Sequence, residues 1–137
     1  KLSRMSSPLQ SPKIVLKPWG REIWYAEQAA YAGKVLEISA GKRLSLQYHE
    51  RKTETLYLLS GRVIVTFRPL VAGETPAAAT VSAEHEHTWE AGQALHIPVH
   101  TIHRFAAVTD AVLLEVSTPD LTDVVRLQDD FARPARD

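Results

Sequence analysis

Cysteine is absent from the 137 residues, which excludes disulfides and thiolate metal sites. Any metal bound here has to be held by imidazole, carboxylate, amide oxygen or water. Net charge is missing as well. Lys plus Arg and Asp plus Glu both number 16, so nothing in the balance draws the chain toward nucleic acid, an anionic membrane or an acidic partner. No run approaches the roughly twenty apolar residues of a membrane helix, and Lys1 to Pro12 lacks the apolar centre of a signal peptide. The expectation is a cytoplasmic protein with neither nucleic-acid nor membrane partners. The length suits one domain, whose folding would bury roughly two-thirds of the unfolded surface.

What the chain has in quantity is short apolar or alternating runs. They lie at Glu22–Ala26, Lys34–Ser39, Leu44–His49, Thr55–Leu59, Arg62–Phe67, Thr80–Trp89, Ala94–Pro98, His103–Val108 and Val112–Val116. Many short strands at near-regular spacing predict an all-β barrel or sandwich. Ser60-Gly61-Arg62 reads as a tight hairpin and Glu90-Ala91-Gly92 as a second turn, because glycine supplies the positive φ such turns need. Pro69, Gly73 and Pro76 place a longer exposed loop across Arg68 to Ala79. The region before the strands is rich in Ser and Pro around the apolar run Ile14-Val15-Leu16. Residues 1–16 are therefore expected to be an arm that adds a strand to a sheet edge and contacts a second subunit, with 17–133 as the barrel. The tail from Pro119 is read as one helical turn and a packing segment.

Chemistry concentrates at a few positions. Residues two apart in a strand face the same side, so Gln47 and His49 project together and Tyr48 points away. Glu54 begins the next strand and His103 opens a later one. Four such donors suit one divalent ion, Zn, Mn, Fe, Co or Ni, with positions left for water or substrate. His85 and His87, one residue apart in a charged run, are read as a solvated strand face. The aromatic residues at strand positions are assigned to packing.

The spacing Gly41, five residues, Gln47, one residue, His49, four residues, Glu54, six residues, Gly61 resembles the first cupin motif, with Gln at a common His position. Gly92, five residues, Pro98, four residues, His103 resembles the second, with His100 where Gly is common and Ala107 where Asn is common. A narrower likeness runs from Lys17-Pro-Trp-Gly-Arg-Glu22 through Gly41–His49 to Asp123-Val-Val-Arg126-Leu-Gln-Asp129-Asp-Phe131-Ala-Arg133. That order resembles the mannose-6-phosphate isomerase domain of type II bifunctional isomerase/guanylyltransferases. No guanylyltransferase activity is implied. Departures from the pattern fall at Glu50-Arg51-Lys52, at Thr55-Leu56 and at Ala132, where the tail usually carries Gly.

The resemblance implies an all-β single-domain cupin, a double-stranded β-helix or jelly-roll barrel, holding one divalent ion through Gln47, His49, Glu54 and His103. It implies a homodimeric sugar-phosphate isomerase or epimerase that works through a metal-stabilised enediolate. Such a reaction needs a base and cations for a phosphate. Arg133, Lys52 and His100 are the candidates for catalysis, and Arg43 and His96 for substrate binding. Two alternatives stay open, a mononuclear iron cupin dioxygenase and a non-catalytic sugar-binding cupin, since fold does not fix function.

Overall fold

The computed structural model describes residues 7–137; the first six residues of the expected arm lie outside them. The described residues form eleven strands: β1 (Lys13–Lys17), β2 (Gly20–Glu27), β3 (Ala32–Ile38), β4 (Leu46–Tyr48), β5 (Glu54–Ser60), β6 (Arg62–Pro69), β7 (Glu86–Glu90), β8 (Ala94–Ile97), β9 (Thr101–Ala107), β10 (Ala111–Ser117) and β11 (Val125–Gln128). They make a six-stranded sheet in the order β1-β2-β3-β10-β5-β8 and a five-stranded sheet in the order β11-β4-β9-β6-β7. The pairings are antiparallel, and most connections after β3 pass from one sheet to the other. This is the all-β jelly-roll barrel expected. β1 lies at the sheet edge, paired with β2 of its own chain.

Strand alternation decides what enters the barrel. In β10, Ala111, Leu113 and Glu115 are buried while Val112, Leu114 and Val116 turn outward. Leu36 and Ile38 share the inward phase with Lys34 in β3, and Leu56 and Leu58 share it with Glu54 in β5. The inner face of the larger sheet is thus part apolar and part charged. The apolar part, with Trp19, Trp89, Ile97 and Phe105, forms the core. Each fully buried Leu, Ile or Phe there contributes roughly 1.5–3 kcal/mol, which offsets the cost of enclosing the charged part.

Three expectations from the sequence need correction. Gly61 does have the positive φ of a turn, 92°, but β5 and β6 lie in different sheets, so the turn is a corner and not a hairpin. The turn expected at Glu90-Ala91-Gly92 is present, Gly92 having φ 94°, and it too joins strands of different sheets, β7 and β8. The run from Thr80 is a strand only from Glu86, because Ala83–His85 forms a 3-10 turn that His85 caps through Ser82 N–H at 3.0 Å. The tail forms a strand, β11, where a helical turn was expected; Val125-Arg-Leu-Gln128 pairs with β4, whose other edge already carries β9.

The Gly61 corner is tight. A Cβ at this residue would stand 2.3 Å from the Asp110 carbonyl oxygen, and the backbone is already in the left-handed region. Gly61→Ala is expected to cost more than about 1 kcal/mol of stability, measured as a shift in the urea midpoint.

Candidate metal centre

His49 at the end of β4, Glu54 at the start of β5 and His103 in β9 converge inside the barrel, each at most 4% exposed. Their candidate ligand atoms all lie within 4.8 Å of one another. His49 Nε2 is 3.7 Å from Glu54 Oε2, and His103 Nε2 is 3.7 Å from Glu54 Oε1. The two imidazole centroids are 5.0 Å apart with the rings tilted by 50°. Both rings are fixed from behind by main-chain carbonyls, which can only accept. His49 Nδ1 donates to Asp123 O at 2.5 Å and His103 Nδ1 to Thr101 O at 2.8 Å. That places both in the Nδ1–H tautomer, with the Nε2 lone pairs turned toward Glu54, buried and without a hydrogen-bond partner. Two orphaned imidazole nitrogens around a carboxylate fit a divalent cation, and outer hydrogen bonds of this kind orient metal-binding histidines.

Gln47 lines the same cavity, on the His49 face of β4 and opposite His103 in the β4–β9 register. Its Oε1 accepts the Ser45 hydroxyl at 2.6 Å. Ser45, Gln47 and His49 thus share one face, with the serine orienting the amide.

Buried charge surrounds the triad. Lys52 Nζ is 2.7 Å from Glu54 Oε2 and 2.9 Å from Glu115 Oε2. Burial, the largest influence on Glu54, pushes its carboxyl upward, but opposing charge, foremost the Lys52 ammonium, outweighs it and the group is held well below the usual carboxylate range. Burial raises Glu115, and the Glu54 charge adds to the rise. For Lys52, burial acts downward and the two carboxylates reverse it, so its ammonium is held above its ordinary range. Burial pulls His103 down from its ordinary 6.5 to about 4. In metal-free protein at pH 5.5, long-range nitrogen–proton NMR is therefore expected to show His103 as a neutral Nδ1–H tautomer; a charged imidazolium would contradict this geometry.

The other residues expected from the sequence are spread more widely. Arg133 lines the cavity and forks onto Asp129, its Nε at 2.8 Å and an Nη at 3.1 Å. Lys52 lines it too, but its ammonium faces Glu54 and Glu115. Arg43 stands on the surface in a two-pronged pair with Asp130 at 2.7 and 2.8 Å. His96 pairs across from Thr55, in the outward phase of β5, and meets its hydroxyl at 3.0 Å. His100 is exposed, donates its N–H to His49 O at 2.8 Å, and has φ 56°. Ala132 has φ 55°, so the backbone is left-handed at both positions where the family pattern carries glycine. His87 is exposed on β7.

Sequence reasoning passed over Glu22, Lys34, Glu115, Asp123 and Arg126, all buried and lining the cavity. For Lys34 and Glu115 a signal existed, a charge in the inward phase of an apolar strand. Asp123 gave none. Its carboxylate accepts the N–H groups of Glu50, Arg51 and Lys52 at 3.3, 2.6 and 2.9 Å while its carbonyl holds His49, so one residue fixes the segment joining His49 to Glu54.

No helix of the described residues is long and apolar enough to cross a membrane. No family model and no curated relative matches the sequence. Solved structures do match. The capsular polysaccharide assembling protein CapF from Staphylococcus aureus aligns with TM-score 0.66 at 17% identity, over 85% of this chain and 34% of that one. Oxalate decarboxylase from Bacillus subtilis, described with Mn(II) centres, aligns with TM-score 0.62 at 20% identity, over 86% and 30%. An RmlC-like cupin from Shewanella frigidimarina aligns with TM-score 0.62 at 14% identity, over 85% and 92%. The chain spans about a third of the length of the first two. With its sheet order and inward-facing site, this chain has the fold of a cupin barrel.

Proposed function

We propose that the protein is a metal-dependent isomerase or epimerase of a phosphorylated sugar, similar to mannose-6-phosphate isomerase. The observation that carries this reading is the pair of orphaned Nε2 atoms facing Glu54 in a polar cavity. His49, Glu54 and His103 would hold the ion, with Gln47 as the fourth donor. When bound, a divalent ion supplies Lewis-acid polarisation of neighbouring sugar oxygens. The chain supplies the rest. Lys52 and Asp123 orient the ligand segment, and Arg133 sets positive charge on the cavity wall. His96 and His100 do not line the cavity, so the base is sought among the groups that do. Glu22 is engaged by Trp24 and Lys34, and Asp123 by three main-chain N–H groups. Asp137 is engaged by Arg126, and Glu115 is the carboxylate that shares an ammonium, Lys52, with Glu54; that nearness to the triad supports Glu115 as the group that would hold and return a proton at Oε2.

The test is interconversion of mannose-6-phosphate and fructose-6-phosphate with Mn²⁺- or Zn²⁺-loaded protein. Turnover is expected, with Glu115→Gln lowering kcat by roughly 100-fold or more while the metal stays bound. No turnover with metal in place would exclude this substrate. Oxygen uptake with Fe²⁺ but not Zn²⁺ would favour a mononuclear iron dioxygenase, and saturable sugar binding without turnover a non-catalytic module.

Self-association as a homodimer is part of the proposal. On the outer face of the six-stranded sheet, Ile14, Ile23, Val35, Leu114 and Tyr57 stand in one cross-strand row by register. Leu16, Tyr25, Leu59 and Val116 beside them are exposed. An apolar face of this extent favours a like partner. Sedimentation equilibrium is expected to give a dimer, and Tyr57→Glu combined with Leu16→Glu a monomer.

A further inference from the structure

The proposed ligands and base leave one part of the cavity wall unexplained. Arg126 stands opposite Gln47 in the β4–β11 register, and Gln47 stands opposite His103 in β4–β9. Strands lie roughly 4.8 Å apart, so Arg126 enters the cavity only two strands from a metal-ligating histidine. Its side chain is 6% exposed. Nη1 donates to the Pro134 carbonyl at 3.1 Å and to Asp137 Oδ1 at 2.5 Å, while Nε is buried with no partner. Lys17 and Arg133 line the same cavity, as does Asp137. A carboxylate side chain thus reaches into a wall of three cations and leaves one guanidinium N–H unanswered. A buried guanidinium is a preorganised fork for an oxyanion, and an unmet N–H shows that Asp137 satisfies the fork only in part.

We infer that Arg126, flanked by Lys17 and Arg133, is an anion subsite of the cavity, and that Asp137 occupies it as an internal stand-in for the phosphate or carboxylate of the ligand. A ligand oxyanion replaces the Asp137 carboxylate on Arg126 and takes up the free Nε–H, with the rest of the molecule directed along β4 toward His103. The inference deepens the sugar-phosphate reading and rests on it for the kind of ligand, but needs neither a metal nor turnover to be tested.

Calorimetric titration with orthophosphate, and separately with acetate, on EDTA-treated full-length protein tests it. Asp137→Asn removes the competing charge and keeps the side-chain shape; it is expected to bind one of the two anions roughly tenfold more tightly than wild type, the loss of one charge-assisted contact being of that order. Arg126→Gln is expected to bind that anion roughly tenfold more weakly, with unchanged circular dichroism showing that it folds. The anion that gains from Asp137→Asn identifies the group carried by the ligand. A gain with neither anion overturns the inference, as does undiminished affinity in folded Arg126→Gln. Should Arg126→Gln not fold, Asp137→Asn decides alone. Because the titrations use metal-free protein, their failure leaves the metal centre standing, and absence of isomerase turnover leaves the anion subsite standing.

Discussion

Replacing His103 by alanine is expected to weaken divalent-metal binding by roughly 100- to 1,000-fold, as the loss of one ligand from a site of few donors should. Two features of the centre make this so. His103 is preset, with Nδ1 tied to Thr101 O at 2.8 Å and Nε2 aimed at Glu54, so a bound ion gains a ligand that needs no reorganisation. The site is also enclosed, and an alanine leaves a space that water fills without a fixed lone pair. His49→Ala is expected to act alike. Thr101, by contrast, contributes its carbonyl, so Thr101→Val should keep the metal. Competition titration against a chromogenic chelator measures all three. Equal affinity in wild type and His103→Ala would show that metal binds elsewhere.

The second large effect is on stability. Lys52 is 5% exposed and its ammonium lies between Glu54 and Glu115. Lys52→Met keeps the length and apolar stem but leaves two buried carboxylates facing each other without a cation. Breaking a buried pair in this way costs about 3–5 kcal/mol. The expected result is a large fall in the urea midpoint of metal-free protein, with part of the loss restored by adding Glu115→Gln, which removes one of the stranded charges. Saturating divalent metal should also restore part, because a cation then faces Glu54. If Lys52→Met unfolds at the same urea concentration as wild type, the ammonium is not the counter-charge of this cluster.

Part of the candidate metal set could be read from the sequence because its geometry is local, while His103, on β9, came only with the spacing of the second motif. Gln47 and His49 share a strand face by parity alone, and Glu54 follows five residues later through one bend. The chemistry around them was less legible. His96 alternates with Leu95 and Ile97, yet only the β5–β8 register shows that Ile97 stands opposite Glu54 and His96 opposite Thr55, which turns the histidine outward. Lys52 looked like a free cation for a phosphate; its two carboxylate partners come from β5 and from β10, the latter some sixty residues on. Gly61 announces a positive φ, but a hairpin and a corner between sheets demand the same φ, and only the fold separates them. Asp123 and Arg126 depend wholly on β11 pairing with β4. Both stand in the tail of the family likeness, but that segment, read as a helical turn, did not show that one fixes His49 and the other lines the cavity.

The central claim is that His49, Glu54 and His103 share one ion. Anomalous diffraction from crystals grown with Mn²⁺ or Zn²⁺, recorded above and below the metal edge, tests it most directly. The expected result is a single strong peak within bonding distance of both Nε2 atoms and a Glu54 oxygen. A map with no peak there, or with its main peak at His85 and His87, would contradict the account.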